Sequence, residues 1–300
     1  MKYENGFYKK IDNRESDMTS VNCRQAGDMV EICVLASGSR GNCIYISDGN
    51  KGFLIDAGLS KREFLKRFHE KGLSRRPVNV ILVTHEHSDH VKGVVPISDF
   101  FGCPVLANEL TAGEIRKIFS GAAALSPYKN GEEVKLGKFK ISSFPISHDA
   151  VDPVGYEVLH EHGKICIVTD IGYPSNLVKE KLKGSNIIVI EANHEENLVF
   201  NGSRPWDVKQ RIVGRKGHLS NDDLAVLLHE VADERLQFVF LAHLSRDHNI
   251  PEKVAGLIKG VLSDKVLNET DVILTWQDRP TDIYSIADSK KIEKERTLST

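Results

Sequence analysis

The chain has 300 residues, of which 40% are hydrophobic and 27% are charged, and its formal net charge is −2. This composition predicts a soluble globular protein with a substantial core, and the near-neutral charge argues against a globally basic nucleic-acid-binding protein while leaving room for a local basic groove. No apolar run approaches the roughly 18 to 20 residues of a membrane-spanning helix, so we expect a cytoplasmic protein without a membrane partner.

The cysteines indicate the redox compartment, and the two ends of the sequence indicate the limits of the domain. Five cysteines are widely spaced and form no CxxC motif, which predicts free thiols in a reducing compartment: Cys23, Cys33, Cys43, Cys103 and Cys166. Residues 1–28 are a polar, aperiodic N-terminal extension, and residues 289–300 are a charged tail. Because no repeat and no low-complexity linker interrupts the sequence between them, we expect a single domain over residues 29–288.

Short apolar runs bounded by polar or glycine-containing segments predict strands along most of the chain. In chain order these strands cover residues 30–36, 43–47, 52–58, 78–84, 103–107, 139–147, 153–160, 164–172, 186–193, 236–244 and 272–278. Predicted helices cover residues 61–71, a segment after residue 90, and residues 109–119, 175–182, 221–232 and 251–262. Strands and helices alternate, but the central strands follow one another in hairpin order. This order predicts an α/β fold with four layers in αββα order, in which two mixed β-sheets are flanked by helices.

The sequence THEHSDH, at residues 84–90, follows one of these strands and concentrates three histidines and two acidic residues. On an extended chain His85 and His87 point to the same side and can reach one metal ion, while Asp89 and His90 follow on the next turn and could hold a second. Imidazole and carboxylate ligands suit zinc, manganese or iron. A solvated polar loop is the alternative, but so many titratable groups in one turn would repel one another without a cation. We therefore expect a metal site here.

An HxHxDH motif after an apolar strand resembles the signature of hydrolases with the metallo-β-lactamase fold. Four companion motifs end other predicted strands: Asp56 in LIDAG, His148 in PISHD, Asp170 in VTDIG and His243 in LAHLS. The resemblance covers residues 30–276 and implies a phosphodiesterase with two divalent ions that share a hydroxide nucleophile. It assigns His85, His87 and His148 to one ion, Asp89, His90 and His243 to the other, Asp170 to both, and to Asp56 a hydrogen bond that orients a ligand histidine.

Glu191 in IVIEAN and His218 in GHLSN resemble a pair that helps to protonate the leaving group in tRNase Z-like phosphodiesterases. A carboxylate that fixes an imidazole and raises its basicity makes that imidazole an effective general acid. The structural alternatives are a buried acid in a salt bridge and a histidine near a helix N-terminus. We assign catalytic roles to Asp89, Glu191 and His218, and we expect substrate-side or structural roles for His194 and His248.

Five segments together resemble the YycJ/WalJ branch of this fold: LASGSRGN, THEHSDH, EANHE, GRKGHLSN and AHLSRDHN. This resemblance implies a 5′-to-3′ exonuclease that acts on double-stranded DNA. Only about twenty residues separate Asp170 from Glu191, which leaves no room for the RNA-gripping insertion of RNase J-type enzymes.

Two segments carry the substrate contacts that we expect. A Gly/Ser loop offers Ser37, Ser39, Arg40 and Asn42, which could cradle a phosphate, although such a turn is common without any ligand. A basic stretch over residues 204–216 offers Lys209, Arg215 and Lys216, with Trp206 placed to stack on a base. The alternative for this stretch is an amphipathic helix with a solvated basic face.

Two other functions stay open at the level of sequence. The near-neutral charge favours a metallo-hydrolase of a small ester, thioester or cyclic phosphodiester. A non-catalytic scaffold or a redox di-metal protein is the other, but the ligand set is complete and no chain is left for a flavin domain. The sequence does not indicate the oligomeric state.

Overall fold

The computed structural model describes residues 29–119 and 124–286, which form two seven-stranded β-sheets packed face to face. The predicted four-layer αββα architecture is confirmed. The predicted extension and tail, residues 1–28 and 289–300, lie outside the described residues.

The described strands are β1 (Val30–Ala36), β2 (Cys43–Ser47), β3 (Gly52–Ile55), β4 (Val80–Leu82), β5 (Val105–Asn108), β6 (Leu125–Tyr128), β7 (Glu133–Leu136), β8 (Phe139–Pro145), β9 (Val154–His160), β10 (Gly163–Val168), β11 (Ile187–Glu191), β12 (Phe238–Ala242), β13 (Asp271–Leu274) and β14 (Tyr284–Ile286). The described helices are α1 (Lys61–Glu70), α2 (Ser88–Val91), α3 (Val94–Phe101), α4 (Glu109–Ile118), α5 (Asn176–Leu182), α6 (Glu196–Asn201), α7 (Trp206–Val213), α8 (Asn221–Val231) and α9 (Pro251–Asp264).

Both sheets join an antiparallel block to a parallel block. The first sheet has the order β14-β1-β2-β3-β4-β5-β6, and its pairing is antiparallel as far as β3 and parallel from β3 to β6. The second has the order β13-β12-β11-β10-β9-β8-β7, antiparallel from β7 to β10 and parallel from β10 to β13. Parallel pairing brings the carboxyl ends of several strands to one edge, so the loops that follow them collect there.

Side-chain alternation along β1 shows how one strand serves two cores. Ile32 and Val34 belong to the core between the two sheets, which also contains Tyr156 of the second sheet. Cys33 and Leu35 belong to the core beneath helices α1, α3 and α4. Successive strand residues point to opposite faces, so a strand covered on both sides reads as a continuous apolar run. A third core lies between the second sheet and helices α5, α8 and α9.

Side-chain caps define where four of the outer helices begin. Ser60, Asn108, Ser175 and Ser220 each accept a hydrogen bond from the backbone N–H three residues further on, which satisfies a donor that the first helical turn leaves free. Within residues 29–119 and 124–286, we find no helix with both the length and the apolar character that a bilayer crossing requires.

The cysteines of the described residues are free and buried, as predicted: Cys33, Cys43, Cys103 and Cys166. Burial raises the pKa of the Cys33 thiol to about 12, which suits a packing role and not a reactive one. Cys23 lies outside the described residues.

Candidate metal centre and active site

Polar side chains collect at one edge of the sandwich because they follow strands that end there. The residues concerned are Asp56 after β3, His85 after β4, His148 after β8, Asp170 after β10, Glu191 at the end of β11 and His243 after β12. Both sheets contribute, so the site lies across the seam between them.

Three histidines from the two sheets face one another. Nε2 of His85 lies 3.0 Å from Nδ1 of His87. The ring centroid of His148 lies 5.1 Å from that of His85 and 5.2 Å from that of His87. Nδ1 of His148 is 3.1 Å from the carbonyl oxygen of Gly217, which fixes this ring. Nitrogen atoms of the three rings lie within 4.8 Å of one another, a spacing at which one cation can bind all three.

A second cluster is centred on His90, which is buried between two carboxylates. Its Nδ1 lies 2.7 Å from Oδ2 of Asp56, and its Nε2 lies 3.1 Å from Oδ2 of Asp170. Asp56 also accepts hydrogen bonds from the backbone N–H and the hydroxyl of Thr84, each of 2.8 Å. Ligand atoms of His85, His90 and Asp170 lie within 4.8 Å of one another, so His85 belongs to both clusters.

Three residues of the site adopt left-handed backbone conformations. Asp56, Asp170 and His243 have φ angles of 59°, 51° and 53°, which cost non-glycine residues about 1–3 kcal/mol each. The backbone N–H of Asp56 donates to the carbonyl of Leu82 at 2.8 Å, and that of His243 donates to Oγ of Ser37 at 2.7 Å. The surrounding structure therefore maintains a sharp turn directly after the strand, where it presents the functional group at the sheet edge.

Glu191 is fully buried and connects two histidines through one oxygen. Its Oε1 lies 2.8 Å from Nδ1 of His218 and 2.8 Å from Nδ1 of His243. Its Oε2 accepts backbone hydrogen bonds from Ile171 at 2.7 Å and Leu219 at 3.3 Å. Burial disfavours the carboxylate, but the two imidazoles, His218 foremost, outweigh burial and lower the pKa of Glu191 to about 2. Burial likewise disfavours protonated His218, yet the Glu191 carboxylate raises the pKa of His218 to about 9.

The donor groups fit a divalent cation. Oδ2 of Asp170 is buried and makes no hydrogen bond of acceptable geometry among the described residues, although His90 is nearby. Burial, followed by the neighbouring His90, holds the pKa of His85 well below its usual range, and burial also lowers the pKa of His148. Neutral imidazoles and an unbonded buried carboxylate oxygen are ligands that transition metals prefer. The His and Asp side chains are therefore positioned for metal binding.

The loop between β1 and β2 supports the HxHxDH turn. Asn42 is buried, and its Nδ2 lies 2.9 Å from Nε2 of His90 and 3.2 Å from Oδ2 of Asp89. Oδ2 of Asp89 is 3.6 Å from Nε2 of His90, so Asp89 lies beside the second cluster. A Cβ atom on Gly58 would lie 1.5 Å from the carbonyl oxygen of Asp89. Only glycine allows the backbone of Asp89 to approach this closely.

The predicted contacts of the Gly/Ser loop divide into buried and exposed residues. Ser37 and Asn42 are buried and bonded to residues of the site. Ser39 and Arg40 are exposed at the tip of the loop, where the backbone N–H of Arg40 donates to Oε1 of Gln277 at 2.6 Å. The first pair thus supports the site from within, while the second faces solvent.

Helix α7 covers the middle of the basic stretch, and none of its residues is buried. Arg204 and Arg211 form ion pairs with aspartates at 2.6 and 2.5 Å, and Lys209 donates to a backbone carbonyl at 2.8 Å. Arg215 and Lys216 are exposed and directly precede the GHLSN motif. Arg204 and Arg211 are exposed as well, but their charges are paired with aspartates.

His194 and His248 are both buried, and neither belongs to a group of candidate metal ligands among the described residues. Burial lowers the pKa of His194 to about 4. Trp206 begins helix α7 and is exposed, with its ring centroid 6.0 Å from that of Phe200.

Sequence reasoning missed three residues that contact or adjoin the site. Thr84 bonds to Asp56, and its position directly before His85 could have indicated it. Asn193 donates from Nδ2 to the carbonyl of His243 at 2.9 Å, and it stands two residues after Glu191. Tyr173 follows Asp170 by three residues in TDIGY and is exposed beside the site.

Comparison with known proteins identifies the family. Residues 51–248 match the model of the beta-lactamase superfamily domain. The chain is 36% identical over 238 residues to a protein named exodeoxyribonuclease YycJ from Bacillus anthracis, covering 79% of this chain and 90% of that protein. It is 35% identical over 225 residues to one named exodeoxyribonuclease WalJ from Streptococcus pneumoniae, covering 73% of this chain and 83% of that protein.

A solved structure shows the same fold. The metallo-β-lactamase-fold protein YhfI from Bacillus subtilis superposes with a TM-score of 0.63 and 12% sequence identity, over 86% of this chain and 100% of that one. At this identity the likeness concerns the fold alone, while the curated relatives and the superfamily model extend it to the sequence. This protein is therefore a metal-dependent hydrolase of the beta-lactamase superfamily and belongs to its YycJ/WalJ family.

Proposed function

We propose that this protein is a DNA exonuclease that removes nucleotides from the 5′ end of a duplex. One observation carries the proposal: three groups of candidate metal ligands are linked through His85 and Asp170, and one of them contains the Glu191–His218 pair. The curated relatives are named exodeoxyribonucleases, which supports DNA as the substrate class. Activity on the 5′ end of double-stranded DNA extends the proposal beyond what those names state.

Two divalent ions, of zinc, manganese or iron, complete the proposed site. His85, His87 and His148 would hold one ion, Asp89, His90 and His243 the other, and Asp170 both. When bound, such ions supply an activated water nucleophile and offset the negative charge of the phosphate. Asp56 would orient His90 through the 2.7 Å contact with its Nδ1, because a ligand histidine is usually fixed by an acceptor at its other nitrogen.

His218 is the proposed general acid. Its side chain keeps 24% of its surface exposed, whereas Glu191 is fully buried. The imidazole can therefore reach substrate while the carboxylate holds it in the protonated form. Proton transfer to the leaving oxygen matters for DNA because an alkoxide is a poor leaving group.

Exposed cations on two loops that contact site residues support a polyanionic substrate. Arg40 is exposed on the β1–β2 loop, and Arg215 and Lys216 are exposed before the GHLSN motif. Such groups bind phosphates without reading sequence, so we expect affinity to fall as salt concentration rises.

The test is digestion of end-labelled linear duplex DNA by full-length protein supplied with manganese or zinc. Duplexes with 5′-phosphate and 5′-hydroxyl ends, labelled in separate reactions at the 5′ or the 3′ end, report the polarity of digestion. Stepwise release from the 5′ end is expected from the wild type. His85→Ala and Asp170→Ala should abolish release, whereas His218→Ala should slow it with the metal content retained.

Two results would overturn the proposal. Turnover of a small phosphodiester or thioester without any release from DNA would identify a small-molecule hydrolase. Undiminished cleavage by Asp170→Ala would refute its assignment to both ions.

A further inference from the structure

Tyr173 and Arg215 form a stacked pair beside the proposed site. The guanidinium carbon of Arg215 lies 4.1 Å from the centroid of the Tyr173 ring. Tyr173 is 44% exposed, and Arg215 is exposed as well. Each belongs to a loop that carries a site residue, because Tyr173 follows Asp170 by three positions and Arg215 precedes His218 by three. A partly exposed aromatic ring and an exposed cation thus lie on two loops that carry residues of the candidate site.

Close backbone packing fixes this pair relative to the site. A Cβ atom on Gly172 would lie 2.6 Å from the carbonyl oxygen of Arg215, so the two loops cross in direct contact. Ser147, which precedes His148, ties both loops together. Its carbonyl accepts from the backbone N–H of Gly172 at 2.8 Å, and its hydroxyl donates to the carbonyl of Arg215 at 2.7 Å. These contacts fix the two loops that carry the pair relative to His148.

Within the part of the chain that the structure describes, no carboxylate matches the charge of Arg215. Among the described residues, no acidic oxygen lies within ion-pair distance of Arg215, whereas Arg204 and Arg211 are paired with Asp247 and Asp149. An unneutralised guanidinium that already lies over a ring can bond a phosphate oxygen through its edge. Because Arg215 covers one face of the ring, an unstacked base can lie on the outer face of the guanidinium or on the exposed remainder of the ring.

We propose that Tyr173 and Arg215 form a platform that stacks the base of the terminal nucleotide and binds an adjacent phosphate, which positions the scissile bond at the metal centre. The inference rests on the proposed function and deepens it. The proposal predicts that the protein prefers a DNA end whose last base is unpaired, because a base can reach the platform only after it leaves the duplex stack. Base–aromatic stacking is worth about ten- to a hundredfold in affinity.

The experiment compares full-length wild type with Tyr173→Ala, Tyr173→Phe and Arg215→Ala. Phe100→Ala is the matched control, since Phe100 is also exposed beneath a cation, Lys61, but lies on outer helix α3. Substrates are duplexes whose 5′-terminal nucleotide carries either 2-aminopurine or an abasic sugar. The readouts are KM and kcat, together with 2-aminopurine fluorescence on binding in chelator without turnover.

We expect Tyr173→Ala to raise KM by about ten- to a hundredfold for the base-containing end and to abolish fluorescence quenching. Tyr173→Phe and Phe100→Ala should behave as wild type. On the abasic end, wild type and Tyr173→Ala should differ little, because no base is left to stack. An equal effect of Tyr173→Ala on both ends would overturn the platform, and so would unaltered quenching.

The fluorescence measurement separates this inference from the proposed function. Quenching that depends on Tyr173 supports the platform even when wild type leaves the DNA intact, an outcome that would refute exonuclease activity alone. DNA cleavage by a Tyr173→Ala variant with wild-type KM would support the exonuclease and refute the platform.

Discussion

Replacing Glu191 by glutamine tests whether the buried carboxylate keeps His218 ready to donate a proton. The carboxylate raises the pKa of His218 to about 9 from an ordinary value near 6.5. This difference corresponds to about 3 kcal/mol in favour of the protonated ring. With a pKa returned to about 6.5, the protonated fraction at pH 8 falls from about nine-tenths to about one-thirtieth.

The sign of the effect on rate follows from the role of His218. A general acid acts only while it is protonated, so the rate on DNA falls as pH rises through the pKa of His218. Glu191→Gln should move this decline to lower pH, which makes the variant about thirtyfold slower than wild type at pH 8 but less than about twofold slower at pH 6.

The assay measures initial rates from pH 5.5 to 9.5 on duplex DNA and on bis(4-nitrophenyl) phosphate. Nitrophenolate leaves without a proton, so only the DNA reaction should respond to Glu191→Gln and His218→Ala. Glu157→Gln is the matched control, because Glu157 is a partly buried carboxylate in β9 that pairs with lysines. Equal slowing of both substrates with full metal content, or an unmoved decline on DNA, would refute the reasoning.

Three further perturbations test how the site is built. Gly58→Ala places a Cβ atom 1.5 Å from the backbone of Asp89 and should cost about 3 kcal/mol of unfolding free energy or more. Gly113→Ala, whose Cβ would meet nothing within 4 Å, should change urea unfolding by about 1 kcal/mol or less; similar losses in both variants would contradict the steric argument. The pKa of His194 is about 4 when folded and near 6.5 when unfolded, so the unfolded chain binds its proton more readily and stability falls as pH drops from about 6.5 through 4. That loss amounts to about 3 kcal/mol and should be absent from His194→Gln. Curves of unfolding free energy against pH that run parallel for wild type and His194→Gln would contradict this role of His194. Metal at a concentration a hundredfold above its dissociation constant should stabilise the wild type by about 2.7 kcal/mol. Thermal unfolding in chelator and in zinc measures this gain in stability. A gain that persists undiminished in His85→Ala would exclude His85 as a ligand.

The parts of the fold that sequence predicted are those with local causes. β11, with the sequence IIVIE, is buried at every position, and a run of apolar residues of that length predicts a strand by itself. The HxHxDH motif is equally local, since its spacing alone suggests that its side chains share an ion. The αββα order followed from the alternation of such runs.

The missed elements depend on neighbours that are distant in sequence. β6 has the sequence LSPY and the central two residues are exposed, while β7, EVKL, has no buried residue. β6 lacks the alternation of a half-buried strand, and β7 alternates over only four residues. Each is extended because it pairs with β5 or β8. Tyr173 was not predicted for a similar reason, because its importance depends on the stacking contact with Arg215, which lies on another loop.

The pairing of β14 with β1 has a consequence for biosynthesis. β1 is made early, but its outer neighbour, which aligns Ile286 with Val30, is supplied only by the last strand of the described chain. Until then the edge of β1 lacks its partner, a state prone to pairing with other chains. The residues just before β14 also hold the β1–β2 loop, since the backbone N–H of Ser37 donates to the carbonyl of Trp276 at 3.0 Å and Nε2 of Gln277 donates to that of Gly41 at 3.1 Å. Because this loop carries Asn42 beneath the HxHxDH turn, the site gains its full set of supporting contacts only after residues 276 and 277 have been synthesised and have packed against the loop.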